Sequence, residues 1–224
     1  MSKKYILGID TASKKCSVAL TQDETLIKYK SEIGKAAHNQ KLSTFISTIM
    51  DKANLKFEQL SAIAINIGPG SFTGLRIGLS TAKGIAFPHN LPLLPIPTFT
   101  ILHAMCMGDD GTNLLFIRSH RNHIYFSIRS QSEPTELSPD VDYATVEEVL
   151  QSHPDIKNYY GDYKFKKFDQ NGTFQTVMPD ARYACQIGYK NYDQLIKQDS
   201  PELEPQYLTN FEAKKWKPGT QEKK

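Results

Sequence analysis

The feature that most restricts the fold is an apolar run in the first half of the chain, Ala62-Ile63-Ala64-Ile65-Asn66-Ile67, which ends in Gly68-Pro69-Gly70. The run lacks the alternation of apolar and polar residues that marks a half-exposed strand, so it predicts a central strand buried on both faces. Residues 73–87, just after the turn, have the apolar spacing of a helix. The sequence therefore predicts a buried strand that leads directly into a helix.

Other segments of the first half supply neighbours for this strand. Three strand candidates, residues 5–10, 16–21 and 25–29, are joined by short links, which favours an antiparallel meander. Residues 38–53 carry apolar positions at helical spacing. The half ends with a proline-flanked edge strand at 93–96 and a helix at 98–107. The predicted order is β, β, β, α, β, α, β, α.

The second half has weaker patterns. We expect strands at 114–117, 124–129 and 159–160, a short helix at 146–151, and a last helix at 180–197 with Asp180 as its N-cap. No internal sequence repeat is evident. The turn-rich Gly108-Asp109-Asp110-Gly111 predicts a lobe boundary, which gives an N-terminal lobe 1–108, a C-terminal lobe 109–212 and a flexible Lys-rich tail 213–224.

Composition narrows the class of protein. With 39% hydrophobic and 23% charged residues in 224, and no apolar run of membrane-spanning length, we expect a soluble, cytoplasmic protein with no membrane contact. Cys16, Cys106 and Cys185 lack CxxC spacing, so buried reduced thiols are expected. The Lys-rich tail with Trp216 is the only dense basic cluster, and it leaves a module that binds nucleic acid directly as one alternative.

The most unusual motif is Gly68-Pro-Gly-Ser-Phe-Thr-Gly-Leu-Arg-Ile-Gly78. Its GxGxxxG spacing differs from the dinucleotide fingerprint, so two interpretations stay open: a tight strand-to-helix turn, or an anion-binding loop at a helix N-terminus. Asp10 closes the first strand, where a carboxylate can hold a metal or a nucleotide-bound water. The weak candidates for a cofactor site are Asp10, Thr11, Gly70 and Ser71.

The sequence lacks the residues that several kinds of catalysis require. A nuclease of the ribonuclease H type needs convergent carboxylates, but the expected positions hold His38-Asn39-Gln40 and Asn66-Ile67-Gly68. No HExxH pattern is present, and His120 and His123 lie in an expected turn between strands. No serine stands in a GxSxG elbow. We expect no catalytic residue, no metal and no cofactor.

The helix at 73–87 carries one apolar stripe, Leu75, Leu79, Ala82 and Ile85, with small residues on the adjoining faces. Such a helix can be buried wholly within its own lobe or shared with another subunit, and the pattern does not separate the two.

Three blocks of sequence resemble the TsaB (YeaZ) family: residues 9–13, residues 16–20 and the glycine motif 68–78. Weaker similarity lies at 159–162 and 205–208. The resemblance implies an α/β fold of the actin-like ATPase (ASKHA) type, with two related ribonuclease-H-like lobes of which the second is reduced. It implies a non-catalytic scaffold for threonylcarbamoylation of the tRNA adenosine next to the anticodon.

The resemblance also implies partners: a TsaD-like catalytic subunit, a TsaE-like ATPase, tRNA through the complex, and a second copy of the chain when TsaD is absent. Helices 38–53 and 73–87 would form the dimer interface. The implied interface residues are Leu42, Phe45, Ile46, Ile49, Thr73, Leu75, Arg76, Gly78, Leu79 and Ala82.

The chain departs from the family pattern at Ser119-His120-Arg121-Asn122 and at Thr209, both in the second lobe. An alternative function is a small-molecule kinase or ATPase of the same fold, with Asp10 and residues 68–74 at the phosphates. That enzyme would need a second glycine-rich loop in the later half, and no Gly-Gly pair occurs there.

Overall fold

The computed structural model describes residues 3–34, 37–106, 111–130, 137, 139–198 and 201–208. Within them the chain forms two five-stranded sheets. The first half contains β1 (Tyr5–Asp10), β2 (Lys15–Gln22), β3 (Thr25–Ile33), α1 (Ala37–Ala53), β4 (Ala62–Gly68), α2 (Phe72–His89), β5 (Leu93–Pro97) and α3 (Thr98–Met105). This order of elements confirms the prediction for the first half.

The first sheet has the strand order β3-β2-β1-β4-β5. β1, β2 and β3 form the predicted antiparallel meander, while β4 runs parallel to β1, with Ile9 beside Ile65. All seven residues of β4 are buried, which confirms the central strand, and β5 lies at the sheet edge as expected. The carboxyl ends of β1 and β4 therefore lie side by side.

The second half repeats the first in topology. Its elements are β6 (Thr112–Arg118), β7 (His123–Ser130), β8 (Asp142–Thr145), α4 (Val146–Ser152), β9 (Asn158–Gly161), α5 (Lys166–Asn171), β10 (Thr173–Thr176) and α6 (Ala181–Lys190). The sheet order is β10-β9-β6-β7-β8, with β6 to β8 antiparallel and β9 and β10 parallel to β6. Each strand of this sheet corresponds to one of the first, so the molecule is a duplicated unit of the actin-like type with a reduced second copy.

The last helix of each half contacts the sheet of the other half. On α3, Phe99 and Leu102 pack with Leu115 and Tyr160 of the second sheet. Helix α6 lies on β1, β2 and β4, and its Cys185 joins Ile6 in one apolar cluster. The sequence placed α6 in the C-terminal lobe, but its packing belongs to the first sheet. The proposed lobe limits stay a prediction.

The predicted last helix is interrupted. α6 begins after Asp180, whose side chain accepts a hydrogen bond from the Arg182 amide, so the N-cap is confirmed. The helix ends at Lys190, and a short α7 (Tyr192–Leu195) follows. The three cysteines are free and buried, as expected. None of the helices in the described part of the chain is long and apolar enough to span a membrane.

Helices α1 and α2 cover the face of the first sheet opposite α6. Their apolar stripes pack against β1, β2 and β4, so the side chains assigned to a partner interface lie mostly inside the chain. The buried ones are Leu42, Phe45, Ile46, Ile49, Leu75, Gly78, Leu79 and Ala82. Only Thr73 and Arg76 of that set are exposed. The periodicity of these helices indicates core packing, and any partner must use their outward faces.

Candidate functional site

The glycine motif forms a packing stripe that runs from the turn before α2 into the first turns of the helix. Gly70, Gly74 and Gly78 recur every four residues and face the loop after β1, and a Cβ at any of them would lie inside 3.0 Å of Thr11 or Ala12 atoms. The Thr11 hydroxyl donates to the Gly74 carbonyl at 2.8 Å, and the Ser71 amide donates to the Ala12 carbonyl at 2.7 Å. Of the two interpretations, the structure favours a tight strand-to-helix turn in which Gly70 and Thr11 serve packing.

Asp10 is fully buried and is held by the chain itself. Its carboxylate accepts hydrogen bonds from Asn66 Nδ2 at 2.6 Å and from the Ala12 amide at 3.2 Å. Asn66 Oδ1 in turn accepts from the Gly68 amide and from the Thr98 hydroxyl. Burial raises the pKa of Asp10 to about 6, although both hydrogen bonds act in the opposite direction. Asp10 therefore ties the ends of β1 and β4 together.

A second buried carboxylate anchors α6 to the first sheet. Asp180 accepts hydrogen bonds from Lys15 Nζ, from the Tyr29 hydroxyl at 2.7 Å and from Arg182 Nε at 3.0 Å. Burial alone would raise the pKa of Asp180, but the hydrogen bonds from Arg182, Lys15 and Tyr29 outweigh it and lower the pKa to about 2. The ion pairs therefore fix the position of α6, with Asp180 ionised.

A cleft of about 490 Å³ lies where the carboxyl ends of β1 and β6 meet. Residues of both sheets and of the α2 N-terminus line it: Ser13, Lys14, Ser71, Thr73, Arg118, Asp162 and Tyr163. Of the weak cofactor candidates, only Ser71 is in this lining; Asp10 and Thr11 lie in the interior. The Ser71 side chain caps α2 by accepting from the Gly74 amide.

The outward face of α2 differs from its buried stripe. Thr73, Arg76, Ser80 and Gly84 are exposed along it, and Phe87 near its end is 87% exposed. An aromatic side chain this exposed buries almost none of its apolar area within the chain. Nothing lies within 4 Å of a Cβ built at Gly84, one turn before Phe87. The face thus presents one large apolar side chain beside a shallow small-residue surface.

Residues 201–208 run against the same helix. Tyr207 stacks with Phe72 at 5.0 Å between ring centroids, and its hydroxyl accepts a hydrogen bond from Arg76 Nε at 3.0 Å. The Gln206 amide donates to the Ile67 carbonyl at the end of β4. The weak similarity at 205–208 therefore maps to a segment beside α2.

Other chemistry-bearing residues do not form a site. Within the described ranges, no group of three His, Cys, Asp or Glu side chains could hold a metal ion. His120 and His123 lie at the predicted turn between β6 and β7, with their rings stacked 4.9 Å apart.

Sequence reasoning singled out Ser71 and Thr73 but missed the charged residues that line the cleft and the exposed aromatic residue of α2. Lys14, Arg118 and Asp162 are far apart in sequence, and no spacing rule joins them. The position of Phe87 outside the apolar stripe of α2 could have identified it. A large apolar residue outside the stripe that faces the core is either exposed to solvent or buried against another subunit.

Comparisons with known proteins relate the chain to one group of tRNA-modification proteins. The family model described as TsaD, tRNA N6-adenosine threonylcarbamoyltransferase, matches residues 28–190. A tRNA threonylcarbamoyladenosine biosynthesis protein TsaB of Haemophilus influenzae is 27% identical over 98% of this chain and 99% of its own. The protein of the same name from Escherichia coli is 31% identical over 57% of this chain and 56% of its own.

Among solved structures, YeaZ from Pseudomonas aeruginosa superposes with a TM-score of 0.74 and 21% identity, and the match covers 92% of this chain and 100% of that one. At this level of identity the likeness concerns the fold.

Proposed function

The chain belongs to the family defined by that TsaD model and, within it, to the TsaB (YeaZ) proteins, and from this premise we propose that it is a non-catalytic scaffold that pairs with a TsaD-like subunit. It takes part in tRNA threonylcarbamoyladenosine biosynthesis. The proposed contribution is to hold the catalytic subunit so that it modifies the tRNA adenosine next to the anticodon.

The residues that could serve a kinase or an ATPase stabilise the fold instead, and this supports a scaffold. A phosphoryl-transfer enzyme needs a carboxylate that reaches the phosphates or their metal ion. Asp10 is fully buried and hydrogen-bonded to Asn66 and Ala12, and the glycines of residues 70–78 pack against the loop after β1. Both features stabilise the fold, and the residues of this motif that remain at the cleft are Ser71, Thr73 and Ile77, none of which carries a charge.

The observation that carries the pairing proposal is Phe87. Its side chain is 87% exposed, whereas Leu75 and Leu79 of the same helix are buried, and exposed aromatic residues are common anchors of protein interfaces. Gly84 and Ser80 lie on the same side of α2 and allow a partner backbone to approach closely. The proposed interface is therefore the outward face of α2, with Thr73 and Arg76 at one end and Phe87 at the other.

Further partners follow from the same proposal. A TsaE-like ATPase would join the pair, tRNA would be reached through the complex, and a second copy of the chain would occupy the same α2 face when the TsaD-like subunit is absent. The proposed location is the cytoplasm, because these partners act on tRNA.

Substitution of the exposed aromatic tests the interface. Phe87→Glu places a charge where an apolar contact would form, and we expect pairing with a TsaD-like subunit to weaken at least ~10-fold. Leu26→Glu is the matched control, because Leu26 is a 45% exposed apolar residue on β3, away from α2. Isothermal titration calorimetry measures both affinities, and far-UV circular dichroism checks that each variant is folded. Equal affinity of Phe87→Glu and the parent chain would rule out this interface.

Reconstitution tests the scaffold itself. The modification reaction is run with the TsaD-like subunit, the ATPase, tRNA, threonine, bicarbonate and ATP, with and without this chain. We expect modified tRNA only when the chain is present, and undiminished modification without it would refute the proposed function.

A further inference from the structure

The outward face of α2 includes a cation that pairing over this face would bury. Arg76 is exposed and lies between Thr73 and Phe87 along the helix. Among the residues that the structure describes, no carboxylate forms an ion pair with Arg76. A charge that is taken out of water without a partner destabilises a complex strongly. A subunit that covers this face must therefore supply a negative group opposite Arg76.

The guanidinium group of Arg76 is held in place by two contacts within the chain. Its carbon lies 3.9 Å from the centroid of the Phe72 ring, one turn earlier on α2. Its Nε donates a hydrogen bond to the Tyr207 hydroxyl at 3.0 Å. These contacts use one face of the group and its Nε, and they leave the edge formed by Nη1 and Nη2. Such an edge matches the two oxygens of a carboxylate, which arginine binds in a bidentate manner.

The segment 201–208 keeps Tyr207 beside α2. At its first residue the carbonyl accepts a hydrogen bond from Lys83 Nζ at 2.8 Å, and the Gln206 amide donates to the Ile67 carbonyl at 2.7 Å. The segment is thus tied both to α2 and to the end of β4. A side chain that is ordered before the partner arrives loses less conformational entropy on binding, so Tyr207 prepares Arg76 for a contact.

The surroundings of Arg76 have the composition of an interface centre. Tyr207 is 41% exposed and Leu208, the next residue, is 46% exposed. Tyrosine and arginine are enriched among the residues that contribute most to binding between proteins. We infer that the pairing surface extends from α2 onto Tyr207 and Leu208. On this surface Arg76 binds a carboxylate of the TsaD-like subunit through Nη1 and Nη2, and Tyr207 acts as a positioning residue. This inference rests on the proposed function.

The contact is tested by calorimetric titration of the full chain with the TsaD-like subunit at low and at high ionic strength. Arg76→Ala should lower the affinity at least ~10-fold and should weaken its dependence on salt, because a charge pair is lost. Arg76→Lys keeps the charge but lacks the planar fork, so it should lose most of the same affinity. Lys166→Ala is the matched control, since it removes an exposed cation on α5 of the second half, and it should pair like the parent chain.

Tyr207→Phe tests the positioning role separately. The substitution keeps the aromatic ring and removes only the hydroxyl that accepts from Arg76 Nε. We expect it to lower the affinity about 3-fold, the loss of roughly one hydrogen bond. In the Arg76→Ala background the same substitution should have no effect, because it acts only through the guanidinium group. Far-UV circular dichroism checks that each variant is folded.

The outcomes separate this contact from the proposed function. A parent chain that does not pair with the subunit at all would refute the proposed function and the contact together. A parent chain that pairs, with Arg76→Ala pairing equally well, would refute the contact alone. Additive losses from Tyr207→Phe and Arg76→Ala would overturn the positioning role. If Arg76→Ala weakens only the binding of tRNA to the assembled pair, the group opposite Arg76 is a phosphate and the carboxylate contact is wrong.

Discussion

The close approach of α2 to the loop after β1 predicts that Gly78→Ala destabilises the protein. A Cβ at residue 78 would overlap Thr11 Oγ1, and Ile65 Cδ1 at 3.4 Å limits movement on the other side. The Thr11 hydroxyl donates to the Gly74 carbonyl, so it cannot move away without breaking that buried hydrogen bond. The substitution must therefore both compress the core and weaken that hydrogen bond.

The magnitude follows from opposing contributions. Replacing glycine by alanine inside a helix ordinarily stabilises by about 0.5–1 kcal/mol. Overpacking a tight core costs about 1–3 kcal/mol, and the lost hydrogen bond costs about 1 kcal/mol more. We expect Gly78→Ala to lower the free energy of unfolding by about 1–3 kcal/mol. In a chain of this size each kcal/mol lowers the melting midpoint by about 2–4 °C.

Gly84→Ala is the matched control on the same helix. Nothing lies within 4 Å of a Cβ at residue 84, so only the helix propensity acts and the variant should be more stable by about 0.5–1 kcal/mol. Urea unfolding followed by circular dichroism compares the two. Combining Gly78→Ala with Thr11→Ala removes the overlapping hydroxyl, so in that background Gly78→Ala should cost nothing. The packing argument is refuted if Gly78→Ala is as stable as the parent chain, or if the two substitutions are additive.

Two further predictions concern stability. Leu79→Ala should lower the free energy of unfolding by about 2–4 kcal/mol, because Leu79 is only 5% exposed and packs in the apolar cluster between α1, α2 and the first sheet. A loss below about 0.5 kcal/mol in urea unfolding would mean that Leu79 does not pack there. Asp180 has its pKa lowered from 3.8 to about 2, so its stabilisation is fully present above pH 4 and is lost as the pH falls through 2. Between pH 5 and 2 the parent chain should therefore lose about 2 kcal/mol more than Asp180→Asn, and parallel pH profiles would contradict the role of the ion pairs.

The sequence predicted the first half well because its signals are local. The apolar run of β4 and the short links of the meander each report on a few neighbouring residues, and Asp180 marks a helix start by its position alone. In the second half, β8 and β10 are four residues long and largely unburied, so they leave no apolar pattern to detect.

Local sequence patterns could not predict which sheet each helix packs against. Periodicity shows that a helix has an apolar face, but it does not say which sheet that face covers. For this reason Leu42 and Leu79 were assigned to a partner surface although they pack on β1, β2 and β4, and the contact of α6 with the first sheet was not predicted. Lys14 and Arg118 line the same cleft only because the folded chain brings the carboxyl ends of β1 and β6 together, so the cleft required the three-dimensional structure.

The last helix of each half packs on the sheet of the other half, and this affects when the first core can form during translation. A nascent chain that has left the ribosome only as far as residue 130 carries a first sheet whose Ile6, Ala19, Ala62 and Ala64 side chains still lack the helix that covers them. That cover is supplied by Ala181 to Ile187, which are translated well after the first sheet. The N-terminal half is synthesised first but completes its core last, so early release of the chain would leave an apolar sheet face open to aggregation.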